Sequence, residues 1–163
     1  MKLFINSVAL VVLIMMGLSI QAQNKDTPDT KQIPMKVMDG LKAKFRNPEI
    51  DKWTREKEGE IFIYDFEFKQ GGQKFEADIK EDGTIHNWEK AITIKDLPAA
   101  VRTTVDKKYP KASLQEIMQI TAVKDGKDEL EGYEIVLRTN DKRDVEVTVA
   151  PDGKILEDSP DTK

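Results

Sequence analysis

The sequence predicts an α+β fold of two layers, a tandem repeat in which each unit is one helix plus a four-stranded antiparallel sheet. Two observations favour this fold. Apolar residues recur first at helical spacing and then at every second position, and both halves of the chain have this order of patterns. The predicted strands also follow one another through short turns, which disfavours a doubly wound nucleotide-binding fold.

Residues 1–22 have the organisation of a secretory signal peptide. Lys2 supplies a positive charge, residues 8–18 are almost wholly apolar, and Ala22 is a small residue suited to signal peptidase. A bilayer span needs about 20 apolar residues, and this stretch is shorter. We therefore expect cleavage after Ala22 and export to the periplasm. Secretion is an alternative location, and no integral membrane span is expected after cleavage.

The composition predicts a mildly acidic domain. The chain has 26 basic and 30 acidic residues; loss of the signal removes only Lys2, which leaves 25 basic residues and a net charge of about −5. Such a mixed surface has no basic stripe, so we expect no nucleic-acid binding. The chain has no cysteine, and an apolar core must therefore hold the fold without disulfides.

Each half is predicted to begin with an amphipathic helix. A proline at each start, Pro34 or Pro98, suits the first helical turn because its missing N–H would have had no partner there. A second proline, Pro48 or Pro110, ends each helix. The apolar stripes at helical spacing are Val37, Leu41 and Phe45 in the first half and Val101, Val105 and Tyr109 in the second.

Downstream of each helix the apolar period changes to two, which predicts half-buried strands. The alternation runs within residues 61–79 in the first half and within residues 133–149 in the second. Asp82-Gly83 and Asp152-Gly153 follow at equivalent places, and Asp-Gly favours a tight hairpin because Gly tolerates positive φ. The residues predicted to face the core are Phe62, Tyr64, Phe66, Phe68, Phe75, Ala77, Ile79, Tyr133, Ile135, Leu137, Val145, Val147 and Val149.

These patterns divide the chain into five segments. They are a signal peptide (1–22), a flexible lead-in (23–32), a first repeat (33–92), a second repeat (93–157) and a tail (158–163). Trp53 and Ile117 mark the first strand of each repeat, and Ile85 and Ile155 begin the last.

Together these residues resemble the PepSY-like family of periplasmic proteins, which is similar to the β-lactamase-inhibitor-protein fold. The Ile-Pro or Leu-Pro pair before each helix, the aromatic residue at its end and the Asp-Gly turn carry the resemblance over residues 33–157. It implies helix-on-sheet units in the cell envelope and a role in binding proteins or peptides. Disulfides are expected in the inhibitor prototype, and this chain has none, so inhibition of a β-lactamase is not implied for particular residues.

Few residues indicate catalysis. His86 is the only histidine, which excludes most metal sites and the Ser-His and Cys-His nucleophile arrangements. Residues 125–129 lack the ligand spacing of an EF-hand and are predicted to form a charged hairpin loop. Trp53 and Trp88 are expected to pack in the core or at its edge. We expect no catalytic residue, no metal and no cofactor.

The sheet face turned away from the helices is the predicted binding surface. Side chains alternate along a strand, so this face receives the residues between the core positions. An apolar centre with a charged surround is typical of protein interfaces, although interspersed charges also suit a solvated face. The candidate interface residues are Ile61, Ile63, Asp65, Glu67, Glu76, Asp78, Val136, Arg138, Glu146 and Thr148.

Three classes of function remain open. The sequence favours a non-enzymatic exported module that uses this face to bind or inhibit a protein or peptide in the cell envelope, because no catalytic constellation is recognisable. The first alternative is an envelope accessory or stress protein without a single specific partner. The second is an enzyme that uses carboxylates of the sheet surface for acid–base chemistry, which would need a pocket lined by acids of raised pKa.

Overall fold

Within residues 29–160, eight strands form one antiparallel sheet and two helices lie against one of its faces. The computed structural model describes residues 29–160, so the predicted signal peptide and its cleavage point lie outside the described residues. The helices are α1 (Met35–Lys44) and α2 (Ala99–Lys108). The strands are β1 (Glu49–Glu58), β2 (Ile61–Gln70), β3 (Gln73–Lys80), β4 (Ile85–Ala91), β5 (Ser113–Lys124), β6 (Lys127–Arg138), β7 (Asp144–Val149) and β8 (Ile155–Pro160).

Both helices begin and end at the residues that the sequence indicates. Pro34 and Pro98 are the N-cap residues. Phe45 and Tyr109 are the C-cap residues, and the backbone N–H of each donates to the carbonyl four residues earlier at 2.8 Å. The apolar stripes of α1 and α2 are buried against the sheet, as predicted. No helix within residues 29–160 has the length and apolar character needed to cross a membrane.

The apolar core has two parts on the same side of the sheet. In the first, α1 packs on β2 and β3, and Phe66 and Phe68 are fully buried. In the second, α2 packs on β6 and β7, and Ile135 is fully buried. The predicted core positions are confirmed, although Phe62 and Phe75 keep some exposure. Trp53 and Trp88 also pack at the edge of the first part, as predicted.

The two halves share one sheet, which differs from the predicted pair of four-stranded sheets. Strand order in space follows strand order in the chain from β1 to β8. The pairing between β4 and β5 runs from Asn87 opposite Ala122 to Ala91 opposite Met118. A four-stranded sheet would leave unpaired backbone groups at its inner edge, and the joining of β4 to β5 satisfies them.

Each helix lies directly over the Asp-Gly turn of its own half. A Cβ at Gly40 would lie 2.2 Å from the Gly83 carbonyl oxygen, so only glycine permits this approach in α1. In the second half Thr104 occupies the matching helix position, and its hydroxyl donates to the Gly153 carbonyl at 2.7 Å. The same contact is thus made by close backbone approach in one half and by a hydrogen bond in the other.

The ordered fold extends beyond both predicted boundaries. Thr30–Gln32 form a 3₁₀ turn inside the segment predicted as a flexible lead-in. Strand β8 continues to Pro160, inside the segment predicted as a tail. Asp158 explains the second difference, because it accepts a hydrogen bond from the Tyr109 hydroxyl and lies 2.6 Å from the Lys108 ammonium. These contacts fasten β8 to the end of α2.

Candidate functional site

One face of the sheet carries no helix from residues 29–160, and we call it the open face. Its side chains alternate with the core positions, and cross-strand pairing aligns them into rows. The open-face residues from β2 to β5 are Ile61, Ile63, Asp65, Glu67, Lys74, Glu76, Asp78, Asn87, Glu89, Glu116, Met118, Ile120 and Ala122. Those from β6 to β8 are Glu134, Val136, Arg138, Asp144, Glu146, Thr148, Glu157 and Ser159.

The ten candidate interface residues all lie on the open face, at different depths. Ile61 and Arg138 are exposed, and Arg138 forms two hydrogen bonds with Asp144, at 2.9 and 3.2 Å. Val136 and Glu146 are half-buried. Contact of the ten residues with a partner stays a prediction.

Ile63 and Thr148 are buried, which differs from the outward, solvated position that the alternation predicts. Their exposed fractions are 3% and 7%, and those of Met118 and Ile120 on the same face are 2% and 4%. Ile63, Met118 and Ile120 lie outside both helix-side parts of the core. Neighbouring side chains of the open face therefore shield these positions from solvent.

Acidic side chains stand directly opposite one another across neighbouring strands of this face. Asp65 is paired with Asp78 between β2 and β3, and Glu67 is paired with Glu76. Glu76 is in turn paired with Glu89 between β3 and β4. Like charges in such positions destabilise a sheet, so their accumulation is typical of a functional site and not of a solvated face.

These acids form part of a larger group, which we call the carboxylate cluster. Burial raises the pKa of Asp78 to about 8, and the hydrogen bond and charge of Asp65 act in the same direction. Burial also raises the pKa of Glu134 to about 8, with further contributions from Glu146 and Glu76. These acids therefore keep protons near neutral pH. The cluster consists of Asp65, Glu76, Asp78, Glu89, Glu134 and Glu146.

Glu89 is surrounded by other acids of the cluster. Burial raises the pKa of its carboxyl, and the negative charges of Glu134 and Glu76 raise it further. Its Oε2 atom is shielded from solvent and has no hydrogen-bond partner among residues 29–160. A buried polar atom without a partner costs about 1–3 kcal/mol. The fold thus retains an unsatisfied acceptor at the middle of its open face.

Lys74 places its ammonium group at the margin of the cluster. Its Nζ is 3.0 Å from Glu76 Oε1 and 2.8 Å from Glu116 Oε1. Burial acts to lower the pKa of Lys74, but its hydrogen bonds with Glu116 and Glu76 outweigh burial and raise it. Within the described part of the chain, no ion pair forms at Asp78 or Glu89.

The residues of the cluster do not form a metal site by their geometry. Residues 29–160 contain no group of three or more histidine or acidic side chains placed to hold a metal ion. His86 is half-buried in β4, beside the irregularity at which the pairing with β3 shifts. The hairpin loop predicted at residues 125–129 is present, since Gly126 has positive φ in the turn between β5 and β6.

Sequence reasoning missed two members of the cluster, although the alternation contained the signal. Glu134 lies between Tyr133 and Ile135, both core residues, and must therefore face the other way. Glu89 follows Trp88, which packs on the first part of the core. The central position of Glu89 could not be foreseen, because it depends on the pairing of β4 with β5.

The sequence of the chain matches one protein family twice. The family is described as "Putative beta-lactamase-inhibitor-like, PepSY-like", and the matches cover residues 18–87 and 63–157. The chain belongs to this family. The resemblance seen in the helix caps and Asp-Gly turns is therefore confirmed. No curated protein matches the sequence of this PepSY-like chain.

Several solved structures have the same fold as this PepSY-like protein. One is described as a "putative periplasmic" protein of Bacteroides eggerthii DSM 20697, with 15% identity and a TM-score of 0.60 over 78% of this chain and 88% of that chain. A "BLIP-like protein" of Bacteroides fragilis NCTC 9343 has 17% identity and a TM-score of 0.56 over 83% and 92%. A DUF2874 family protein of Bacteroides uniformis ATCC 8492 has 14% identity and a TM-score of 0.58 over 78% and 88%.

Proposed function

We propose that this PepSY-like protein is a non-enzymatic binding module of the cell envelope, and that its open face binds or inhibits a protein or peptide. The observation that carries the proposal is that the open face combines accessible apolar side chains, Ile61 and Val136, with closely spaced acids, one of which, Glu89, keeps a buried oxygen without a hydrogen-bond partner among residues 29–160. Helices cover the other face. An apolar centre surrounded by charge is the usual anatomy of a protein interface.

The comparisons support the envelope location and the inhibitor-like shape. One structural relative is described as periplasmic and another as BLIP-like. At identities of 15% and 17% these relatives share the fold, and we extend the periplasmic location to this chain as part of the proposal. The predicted signal peptide supports the same location. Intact mass of the exported protein should correspond to a chain that begins at Gln23.

We also propose that the two halves are copies of one ancestral unit. The family matches the chain twice, and the order of one helix and four strands occurs in each half. The left-handed residue after each helix supports this view, since Asn47 and Lys111 both have positive φ and both follow the C-cap by two positions.

Photo-crosslinking from single positions tests the proposed binding surface. A photoreactive residue at Val136 or Glu146 reports on the open face, and one at Lys42 or Asp106 reports on exposed positions of the two helices. In cells that express the protein naturally, we expect a discrete protein or peptide adduct from the open-face positions only. The purified adduct partner should then bind the unmodified protein in a binary assay.

Two other outcomes would contradict the proposal. Adducts from the helix positions alone would show that the partner binds the helix side of the protein and not the open face. Weak, heterogeneous adducts from every position would favour the first alternative, an accessory or stress protein without a single partner. The matched helix positions make both outcomes visible within one experiment.

The raised pKa values favour one alternative function, a carboxylate-based enzyme. Asp78 and Glu134 have pKa values of about 8, and acids of this kind serve as general acids near neutral pH. Chromogenic glycosides, esters and phosphate esters would reveal hydrolysis by the purified protein. Turnover that is lost in Glu134→Gln, and retained in the exposed control Glu60→Gln, would establish this alternative.

A further inference from the structure

We propose that the carboxylate cluster is the recognition site for a lysine or arginine side chain of the protein or peptide on the open face. This inference rests on the proposed function and names the chemistry of the partner. Its starting point is Glu89, whose buried Oε2 has no hydrogen-bond partner among the described residues. An N–H donor from outside the chain would satisfy that atom, and a cationic donor would also balance the surrounding acids.

The arrangement of the strands shows why the missing donor should be cationic. Glu76 lies opposite Glu89, and Asp65 lies opposite Asp78, so two rows of like charge run side by side. Buried acids are normally paired with a cation. Nothing in residues 29–160 supplies one to Glu89. A positive group from a partner would remove the repulsion within both rows at once.

Lys74 shows that this environment accommodates an ammonium group. Its Nζ sits between Glu76 and Glu116 at 3.0 and 2.8 Å, at the margin of the cluster. A second cation beside Glu89 would repeat this arrangement toward β6, where Glu134 has no ion pair of its own within the described chain.

The apolar neighbours favour a long aliphatic cation over a small ion. Val136 is half-buried on the same face two residues beyond Glu134, and the buried Ile120 is paired directly with Glu89. Lysine and arginine lay their methylene groups along apolar surface while the charged end reaches a polar group. The described acids also lack the geometry of a metal site. Both observations indicate a side chain of a partner as the occupant.

The acids around Glu89 predict a proton change on binding. Glu76 and Asp78 face it from β3, Glu134 from β6 and Glu146 from β7. Because pKa values of about 8 keep protons on Asp78 and Glu134 near neutral pH, a bound cation would displace protons from these two carboxyls into solvent. Affinity should therefore increase as the pH rises from about 6 to about 9, over the range in which Asp78 and Glu134 titrate.

Binding of short labelled peptides tests the inference with the full mature protein. The probes are pentaarginine, pentalysine and pentacitrulline, the last being a neutral analogue of pentaarginine, measured by fluorescence anisotropy at pH 8. We expect the two cationic peptides to bind and pentacitrulline not to bind. The double variant Glu89→Gln with Glu134→Gln should weaken binding at least about tenfold, as loss of a desolvated charge partner does.

A second double variant controls for overall charge. Glu60→Gln with Glu81→Gln also replaces two glutamates, but at exposed turns, and it should leave peptide affinity unchanged. Equal weakening in both variants would show attraction to the whole acidic surface and would overturn the inference. Absence of cationic-peptide binding to a folded wild-type protein would overturn it as well. Spermidine tests binding of a small polyamine. If spermidine binds as tightly as pentaarginine, the cluster is a polyamine site and the inference of a protein or peptide side chain is wrong.

The same variants separate this inference from the proposed function. If the double variant Glu89→Gln with Glu134→Gln retains the open-face crosslink to the natural partner, the open face binds a partner, but the cluster does not bind a cationic side chain of that partner. If open-face crosslinks are absent while cationic peptides bind through the cluster, the cation site exists and the proposed partner protein does not. Thermal unfolding of each variant verifies that the glutamine substitutions leave the protein folded.

Discussion

Lys44 Nζ lies 2.6 Å from Asp128 Oδ1 and 2.7 Å from Asp128 Oδ2, and this ion pair joins the end of α1 in the first half to β6 in the second. Trp88 completes the contact. Its ring centroid is 5.1 Å from the ammonium, and its Nε1 donates to Asp128 Oδ1 at 3.3 Å. Hydrogen bonds from Lys44 and then Trp88 lower the pKa of Asp128 despite some desolvation. The predicted charged hairpin thus contributes to the junction between halves.

A double-mutant cycle with Lys44→Ala and Asp128→Ala should give a coupling energy of about 0.5–1 kcal/mol in urea unfolding. The side chains keep 27% and 44% of their exposure, so solvent screens the pair and holds it within the range of surface ion pairs. Arg102 and Asp106, 3.8 Å apart and more exposed, form the control pair and should couple by about 0.3–0.5 kcal/mol at most. Coupling at Lys44 no larger than at the control would show that the junction depends on strand pairing alone.

Gly40→Ala should destabilise the protein by about 1–3 kcal/mol, the usual range for overpacking. The new methyl group would lie 2.2 Å from the Gly83 carbonyl oxygen, so α1 would have to move away from its turn. Alanine favours helices by about 1 kcal/mol over glycine, and the clash must exceed this gain. Lys42→Ala at an exposed position of α1 is the control and should change stability by less than about 0.5 kcal/mol. A stabilised Gly40→Ala variant would mean that the helix shifts freely.

Periodicity predicted most of the fold because helix and strand burial depend on local spacing. The helix caps at Pro34, Phe45, Pro98 and Tyr109 follow from backbone restrictions that act within a few residues. The single sheet was not predicted, because the pairing of β4 with β5 joins segments about 30 residues apart and leaves no local pattern. The extension of β8 to Pro160 likewise depends on long-range contacts of one residue, Asp158, with the end of α2.

The residues of the open face could be predicted from the sequence, but the depth at which each one is buried could not. Alternation assigns Ile63, Asp65 and Glu76 to that face correctly, since it needs only the period of a strand. Alternation does not show how far neighbouring strands shield a position from solvent, and this shielding decides that Ile63 is buried and that the pKa of Asp78 is raised. The importance of Glu89 emerges only when eight strands are joined in register.

Ile63→Ala and Ile61→Ala form a matched pair that tests how strongly the open face is shielded from solvent. Both residues belong to the open face of β2, but Ile63 is 3% exposed and Ile61 is 37% exposed. We expect Ile63→Ala to destabilise by about 2–4 kcal/mol, as loss of a buried isoleucine does. Ile61→Ala should cost less than about 1 kcal/mol. Equal, small effects in chemical denaturation would contradict the shielding of Ile63 on the open face.

Phe66→Ala and Ile135→Ala test the two parts of the core separately. The residues are 1% and 0% exposed, beneath α1 and α2 respectively. Each substitution should destabilise by about 2–5 kcal/mol. Glu67→Ala is the control on the neighbouring position and loses only an ion pair with Lys52, so a change within about 1 kcal/mol is expected. Two unfolding transitions in either core variant would show that the halves unfold independently despite their shared sheet.

Glu134→Gln should stabilise the protein more at pH 9 than at pH 5. An ordinary glutamate has a pKa of about 4.3, whereas burial raises the pKa of Glu134 to about 8 in the folded protein. Between these values the folded state binds more protons at this group than the unfolded state, so its contribution to stability falls as the pH rises. Glutamine keeps the shape without the charge and removes that loss.

The measurement is the free energy of urea unfolding of the wild type, Glu134→Gln and the exposed control Glu60→Gln at several pH values from 5 to 9. The difference between Glu134→Gln and the wild type should grow by about 1 kcal/mol or more across this range, since one pKa unit corresponds to about 1.4 kcal/mol. Acids of lowered pKa, such as Asp128, contribute equally to the unfolding free energies of all variants, so their effect cancels in the difference. Their contribution to stability is lost only at lower pH. A constant difference from pH 5 to pH 9 would show that Glu134 titrates normally, and the carboxylate cluster would then be an ordinary solvated surface.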